Sequence, residues 1–597
     1  MKNSTIRMLR DMFAVDKSYM LVSLFAIPIG IINPLIDIYF LNIFLKSISE
    51  EKSISKAAII LGIMFVLNLL NLLWDGYTCS IYMPVHEKRI AFAFKSRFIE
   101  AARNFEAEKY EDPHFYDEFV ISSGEASSRP ILIWKSCVGF ASLLASIGTI
   151  ITLIISTDLY LIIFAIISAV IGLIPQMIKV KTNYEYNQEN ASLSREEEYF
   201  GRIIYNRSFI FDILSTNIVE VLKNKLNSCV ERSIALKKRY AIKNMKAESF
   251  QSLISVAFTI TTWLYIGIRI VFGYYTIASF TAMFNACNDF RSSVRNFVDV
   301  FAQFKDHKLY ADKVYGFLDY KPSIDAEAGI SKEFNELIEL RGVSYTYPNT
   351  AIRALNNVDL TIHKGEKIAI VGQNGAGKST LIKIIMRLYE PGEGLVTMDG
   401  VPYQDIKESS IKKTFSCCFQ DFSLYSFSLG ENVSMSNEYD ADAVRSLLEK
   451  VNMSGYSGFI ADQVNRDFDD KGLNFSGGEA QRIGIVRAIY QNSEVLIFDE
   501  ANSSLDPIAE KELNDLIYDV SGDKTTIFIS HRLSTATKAD RIIYMEDGAV
   551  VECGTHRELL QRNGKYAALY KAQIEQLTER SKDNCDNANG VKTAVAD

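Results

Sequence analysis

Long apolar stretches with at most one charged residue each dominate the first 300 residues of this 597-residue chain. Each is long enough for a helix to cross roughly 30 Å of hydrocarbon. Five of them are clear: Tyr19–Leu45, Ala57–Trp74, Ile131–Thr157, Leu159–Ile178 and Ser249–Ile268. A weaker sixth, Ile270–Asn288, runs into charged residues, so its inner half is expected to face protein or water. The pattern predicts a six-helix membrane domain.

The spacing of these stretches predicts their topology. Gaps after the first, third and fifth are short, whereas those after the second and fourth exceed 50 residues. The long gaps are rich in charge and helix formers, which predicts cytoplasmic extensions of the membrane helices. Lys2, Arg7, Arg10 and Lys17 place the N-terminus inside.

The N-terminal segment has apolar residues at helical spacing. Ile6, Leu9, Met12 and Phe13 suit an amphipathic helix at the inner membrane surface. A frayed tail is the alternative.

Polar residues within the predicted spans are candidates for contact with a polar or charged solute. A charge there is costly and should face a cavity or a partner; the alternative is polar contacts that hold the helices together. The candidates are Asn33, Asp37, Asn68, Asn71, Asp75, Asn285, Asn288, Ser292, Arg295 and Asp299.

Charge and cysteine content exclude other classes. A net charge of −8 without a basic stripe argues against nucleic acid as the main partner. Eight cysteines without CxxC spacing predict reduced thiols, neither a disulfide framework nor a zinc site.

The second half of the chain has the pattern of a soluble α/β domain. Strands are predicted over Ile338–Tyr347, Ala354–Ile362 and Lys367–Val371, alternating with helices. We therefore expect a transmembrane domain at 1–320, a linker at 321–336, an α/β domain at 337–577 and a disordered tail at 578–597.

A glycine-rich segment follows the third of these strands. It fits GxxxxGK followed by Ser or Thr, a loop whose backbone N–H groups converge on phosphates. Lys378 would reach the β and γ phosphates and Ser379 would bind Mg²⁺. The segment consists of Gly372, Gln373, Asn374, Gly375, Ala376, Gly377, Lys378, Ser379 and Thr380.

A second apolar run, VLIFDE, is typical of a buried parallel strand that ends in two carboxylates. Asp499 suits the Mg²⁺ shell. Glu500 is placed to orient or deprotonate an attacking water. The alternative, an acidic strand end exposed to solvent, is weak beside the phosphate loop.

The segment between these two motifs carries a family resemblance. Phe475, Ser476, Gly477, Gly478 and Glu479 resemble the LSGGQ signature of ABC ATPases. Other motifs follow the family order: Gln420 resembles the Q-loop glutamine and His531 the switch histidine, Tyr347 resembles the aromatic residue that stacks on adenine, and Ser503, Ser504, Leu505 and Asp506 resemble the D-loop. With the preceding spans, the resemblance covers about residues 1–577 and points to exporter-type half-transporters.

The resemblance implies ATP and Mg²⁺ as cofactors, with Gln420 also in the Mg²⁺ shell. It implies that the signature grips the γ phosphate of ATP bound to a second subunit, so the unit that hydrolyses ATP is a dimer in the cell membrane with cytoplasmic ATPase domains. The expected function is export of a peptide, lipid or amphipathic small molecule by alternating access. An importer on the same scaffold, or a non-transporting regulator or channel, remains an alternative.

Two signature residues depart from the family pattern. Phe475 replaces leucine and is expected to be a packing variant, and Glu479 replaces glutamine. A weakened signature also occurs in asymmetric pairs, so both homodimer and heterodimer remain open.

The two long loops are expected to carry coupling between ATP hydrolysis and the membrane. Their tips are predicted at 110–117 and 206–213, with a helix start at Pro113 after Asp112. Family resemblance implies docking near the Q-loop, for which Phe115 and Tyr116 are suited.

Overall fold

A computed structural model describes residues 4–322, 329–499, 507–530 and 536–574. The chain divides into two compact units. The first comprises Met1–Arg103 and Phe119–Tyr320, and the second comprises Asn104–Glu118 and Lys321–Asp597. The tip of the first long loop therefore groups with the second half of the sequence.

Helices form the first unit. Within the described residues, five of them are long and apolar enough to span a membrane, namely α2, α3, α4, α5 and α7, and these contain the five clear predicted spans. The helices are α1 (Ser4–Val15), α2 (Lys17–Ser49), α3 (Ile54–Ala102), α4 (Pro113–Thr157), α5 (Leu159–Tyr205), α6 (Arg207–Ser215), α7 (Ile218–Val271) and α8 (Ile277–Leu318).

The sixth helix begins later than the sequence predicts. Residues 270 and 271 still belong to α7, and α8 begins at Ile277. The reason is local: Gly273, with a φ of 75°, ends α7 with its N–H donating to the Ile270 carbonyl at 2.9 Å. Thr276 then caps α8 through the Ser279 N–H at 3.3 Å.

The long helices extend well beyond a bilayer. α5 has 47 residues and α7 has 54, so at about 1.5 Å per residue they are roughly 70 and 80 Å long. Because the hydrocarbon layer is only about 30 Å thick, much of each helix lies in water. The predicted helical character of the long loops is confirmed.

The N-terminal helix forms as predicted, and part of its predicted apolar set is buried within the protein. Met8 and Met12 are fully buried, whereas Ile6 and Phe13 are exposed. Polar contacts fix this orientation: Arg7 pairs with Asp319, and the Tyr315 hydroxyl donates to Asp11 at 2.8 Å.

Several predicted intramembrane polar residues bond to other parts of the helical unit. Asn71 donates to Asn33 at 2.9 Å, which joins α3 to α2. Asp299 on α8 accepts a hydrogen bond from Gln176 on α5. Asn288 accepts a bond from Arg291 on the same helix at 3.0 Å. These contacts favour the interpretation that part of this polar set holds the helices together.

Two sheets organise the second unit. An antiparallel sheet has the order β2-β1-β4-β5, and a mainly parallel sheet has the order β10-β9-β3-β8-β7-β6. The three predicted strands are confirmed to within one residue. The strands are β1 (Leu337–Thr346), β2 (Arg353–His363), β3 (Lys367–Gly372), β4 (Glu393–Met398), β5 (Val401–Pro402), β6 (Phe415–Cys418), β7 (Val495–Asp499), β8 (Thr525–Ile529), β9 (Arg541–Glu546) and β10 (Ala549–Gly554).

Helices connect and cover these strands. They are α9 (Lys378–Ile385), α10 (Glu408–Thr414), α11 (Leu429–Ser434), α12 (Ala441–Lys450), α13 (Gly477–Tyr490), α14 (Pro507–Ser521) and α15 (His556–Arg562). Part of the segment predicted as a linker also packs here, because Phe334 is buried in the core and Ile330 bridges to Ile406. The predicted tail, 578–597, lies outside the described residues.

Candidate nucleotide-binding site

The glycine-rich loop lies between β3 and α9, at the carboxyl edge of the parallel sheet. β3 is hydrogen-bonded to β8 and β9, and its residues are buried almost throughout. β7 lies on the other side of β8 from β3 and ends at the buried Asp499. Gly372 and Asp499 therefore end parallel strands separated by β8 alone, and this edge is where open α/β sheets bind ligands.

Backbone geometry explains two of the glycines. Gly372 and Gly377 have φ values of 155° and 93°. A Cβ at Gly372 would lie 2.2 Å from the Met545 carbonyl oxygen, and one at Gly377 would lie 2.5 Å from the Ala354 carbonyl oxygen. Only glycine allows the loop this close to the neighbouring backbone.

Lys378 begins α9 with its side chain turned back over the loop. Its Nζ donates to the Gly372 and Gln373 carbonyls, each at 2.9 Å, and the residue is only 5% exposed. Ser379, next in the helix, is exposed. A buried ammonium beside a helix N-terminus forms a site for an anion.

The oxygen ligands near this edge fit Mg²⁺. They are the Ser379 hydroxyl, the Asp499 carboxylate and, after β6, the exposed amide of Gln420. Mg²⁺ in nucleotide sites takes one or two carboxylates, with substrate phosphates and waters completing its shell. Within the described ranges, no group of three His, Cys, Asp or Glu residues has the arrangement of a metal site, so an ion here would need such additional ligands.

Tyr347, the predicted adenine-stacking residue, is half-buried beside α9. Its hydroxyl lies 3.0 Å from Thr380 Oγ1. Its ring meets those of Tyr345 and Tyr389 edge to face, with centroids 5.3 and 5.9 Å away. The ring is thus fixed next to the phosphate loop.

The signature segment opens α13 with a capping box. Ser476 donates from both its N–H and its hydroxyl to one Glu479 carboxylate oxygen at 2.8 Å, and the Tyr456 hydroxyl donates to the other at 2.9 Å. The bonds from the Ser476 N–H and hydroxyl, aided by Tyr456, hold the pKa of Glu479 below its usual value against the opposing effect of burial.

The two departures from the signature pattern have structural explanations. Phe475 packs on Tyr456 with ring centroids 4.9 Å apart, so the expected packing role is confirmed. The capping role of Glu479 was missed by the sequence analysis, although Ser-x-x-Glu before a helix is a recognisable signal. Glu500, Ser503, Ser504, Leu505, Asp506 and His531 lie outside the described residues.

The first loop tip contacts Lys383 of α9 and the nearby Tyr389. Within the second unit, Glu111 accepts a hydrogen bond from the Tyr389 hydroxyl at 2.5 Å and lies 3.5 Å from Lys383 Nζ. Phe115 packs on Phe105 of its own loop, and its neighbour Tyr116 is exposed. Glu111, and not the exposed Tyr116, makes this contact; docking near the Q-loop stays a prediction. The helix start at Pro113 is confirmed, since the His114 N–H donates to Asp112 at 3.0 Å.

Together, the phosphate loop, the buried lysine, the carboxylate strand and the membrane-spanning helices define a class: a membrane protein with a P-loop nucleotide-binding domain. Comparison with known proteins makes this more specific. The family description "ABC transporter" matches residues 355–503. The chain is 27% identical over 588 residues to the subtilin transport ATP-binding protein SpaT of Bacillus subtilis, covering 94% of this chain and 92% of SpaT.

Two further similarities extend over nearly the whole chain. Identity to the nisin transport ATP-binding protein NisT of Lactococcus lactis subsp. lactis is 24%, covering 95% of each chain. The structure of a bacterial Atm1-family ABC exporter with ATP bound has the same fold, with a TM-score of 0.71 and 18% identity, over 93% of this chain and 99% of that one. This chain is an ABC transporter of exporter-type fold, a multi-pass membrane protein with a cytoplasmic ATPase domain.

The two loop glycines Gly377 and Gly375 offer a matched test of the loop geometry. In Gly377→Ala the new methyl group would clash with the Ala354 carbonyl oxygen, so we expect ATP binding to be lost. Gly375 has a φ of 80° with nothing within 4 Å of its Cβ position. Gly375→Ala should therefore cost only the left-handed strain of about 1–2 kcal/mol. Equilibrium ATP binding to the purified, folded variants measures both, and equal losses would contradict this geometry.

Proposed function

We propose that this chain is one half of an ATP-driven exporter that pairs with a second half-transporter and works by alternating access. The observation that carries the proposal is the buried Lys378 at the phosphate loop of a chain that also crosses the membrane. ATP-driven pairing of the nucleotide-binding domains would open the cargo path outward, and hydrolysis would reset it.

The chain's own residues divide the work of hydrolysis. Backbone N–H groups of 372–380 bind the phosphates, Lys378 neutralises the β and γ oxygens, and Tyr347 stacks on adenine. Glu500 orients and deprotonates the attacking water, while His531 contacts the γ phosphate. Ser379, Asp499 and Gln420 would hold Mg²⁺, which neutralises phosphate charge when bound.

A second subunit is supported by the tip of the second long loop. α6 presents Phe211 and Leu214, each 80% exposed. The 47-residue α5 places this tip about 70 Å along the helix from the turn at Asp158, well beyond the hydrocarbon layer. Lipid does not cover these side chains, and we propose that the partner subunit does. The signature segment leads to the same conclusion, because by family resemblance it grips the γ phosphate of ATP bound to the other subunit.

For the cargo, a peptide is the first choice. SpaT and NisT, whose names specify subtilin and nisin transport, align with nearly the full length of this chain, including its membrane half. Lipids and amphipathic small molecules remain within the proposed class. The intramembrane polar residues that bond to one another, such as Asn33 and Asn71, are less suited to cargo contact than those that do not.

Replacing Glu500 by glutamine tests the catalytic assignment. Because glutamine cannot take a proton from water, the variant should bind ATP, remain paired and hydrolyse with little turnover. Steady-state hydrolysis in liposomes and size-exclusion chromatography with ATP measure this. Glu494→Gln, at the opposite end of β7, is the control and should hydrolyse normally. Near-normal turnover in Glu500→Gln would refute the role, and no turnover by the unaltered chain despite ATP binding would indicate an obligate heterodimer.

Replacing Glu479 by glutamine tests the signature. The free energy of interaction between a negative charge and a helix N-terminus is about 0.3–1 kcal/mol. At the signature, the Glu479 carboxylate would compete with the incoming phosphate for this interaction. We therefore expect the KM for ATP to fall about twofold to fivefold. Because the pKa of Glu479 is lowered, the carboxylate stays ionised at neutral pH. The KM ratio should thus be constant from about pH 6 to 8 and approach one only as the pH falls through that lowered pKa.

Glu431→Gln is the matched control for this change. Ser428 and Glu431 form the same capping box on α11, outside the signature. Its replacement should leave the KM for ATP unchanged. A KM that stays the same or rises in Glu479→Gln would contradict the proposed phosphate contact.

A further inference from the structure

Three tyrosine rings join the proposed adenine site to the first loop tip. Tyr345 lies on β1 and stacks on Tyr389, with centroids 5.3 Å apart and an interplanar angle of 22°. Tyr347 meets both rings nearly at right angles, at 82° and 89°. Tyr345 and Tyr389 are almost completely buried, whereas Tyr347 is half-buried. The half-buried Tyr347 ring is thus oriented by two rings that have little freedom to move.

Tyr389 also makes the contact with the loop. Its hydroxyl accepts from Lys383 Nζ at 2.9 Å and donates to Glu111 Oε1 at 2.5 Å. Lys383 lies over the Tyr389 ring, 4.8 Å from its centroid. The phenol therefore bridges a cation on α9 and a carboxylate on the loop, and hydrogen bonds to charged groups are stronger than neutral ones.

Helix α9 also contacts Tyr347. Thr380, three residues before Lys383 on α9, lies 3.0 Å from the Tyr347 hydroxyl. Asn349, two residues after Tyr347, donates to Asp112 of the loop at 3.4 Å. The loop tip is thus hydrogen-bonded both to Tyr389, which packs against Tyr347, and to Asn349, two residues after Tyr347. Ala107 of the loop adds an apolar contact with the core of this unit.

Carboxylates of the loop also influence the pKa values of the two buried tyrosines. Burial raises the pKa of Tyr389, and the bond to Glu111 raises it further. Burial likewise raises the pKa of Tyr345, with the Glu108 carboxylate adding to the effect. Both phenols therefore stay protonated, so the Tyr389 O–H remains a donor to Glu111.

We propose that Glu111 and Tyr389 are positioning residues for Tyr347, and that through them the loop tip 104–118 responds to whether a base is stacked on that ring. The inference rests on the proposed role of Tyr347 in adenine binding. A base pressing on Tyr347 shifts its edge against Tyr389, and the Tyr389 hydroxyl transfers the shift to Glu111.

Two conservative variants remove the bridge without removing the packing. Tyr389→Phe deletes the hydroxyl and keeps the ring, and Glu111→Gln removes the charge and keeps the shape. In the full-length chain in liposomes, each should raise the KM for ATP about threefold to tenfold with kcat unchanged. Tyr116→Phe, the same chemical change at an exposed position of this segment, is the control and should change neither.

Two additional measurements separate positioning from a merely structural role. In a Tyr347→Ala background, Tyr389→Phe should have no further effect on the KM, because the ring it positions is gone. In the unaltered chain, saturating ATP should slow amide hydrogen exchange in 104–118 more than saturating CTP does, since the smaller pyrimidine stacks less. Tyr389→Phe should abolish that difference.

The contrary results are equally specific. An unchanged KM in Tyr389→Phe, additive effects with Tyr347→Ala, or equal exchange with ATP and CTP would overturn the inference. If Tyr347→Ala itself leaves the KM for ATP unchanged, the adenine role of Tyr347 and this inference fail together. Glu500-dependent hydrolysis would still stand in that case, so the two failures are distinguishable.

Discussion

A buried lysine ammonium at the end of a buried strand is the feature on which the rest of the structure depends. An ammonium group removed from water is costly unless it is paired. Here two backbone carbonyls accept from Lys378, and the loop that supplies them needs glycine at positions 372 and 377. An ammonium group beside the N-terminus of α9 favours an anion in the loop, so the geometry suits a nucleotide phosphate.

The same edge of the sheet positions the side chains around the proposed phosphate site. β7 brings Asp499 to the edge, and α9 carries Ser379, Thr380 and Lys383 outward from the loop. Lys383 meets Tyr389, and Tyr389 meets Glu111. One short helix therefore connects the phosphate loop, the tyrosine cluster and a segment that continues into membrane-spanning helices.

Much of this was predictable because the signals are local. Apolar length predicted the spans, and glycine spacing after a strand predicted the phosphate loop. The start of α8 was missed because it depends on the turn at Gly273, within an otherwise apolar run. The Glu111–Tyr389 contact was not predicted because it joins residues 278 apart in sequence, and only the folded chain brings them together. Glu479 was a different case, since its capping signal was present in the sequence.

The central claim is that ATP bound at Lys378 drives cargo across the membrane. The most direct test is accumulation of fluorescent amphipathic peptides inside inside-out proteoliposomes that contain the purified chain, compared with the Lys378→Ala variant. We expect at least one peptide to accumulate with ATP and Mg²⁺, but not with ADP and not in the variant. Accumulation that persists without ATP or in Lys378→Ala would contradict the account.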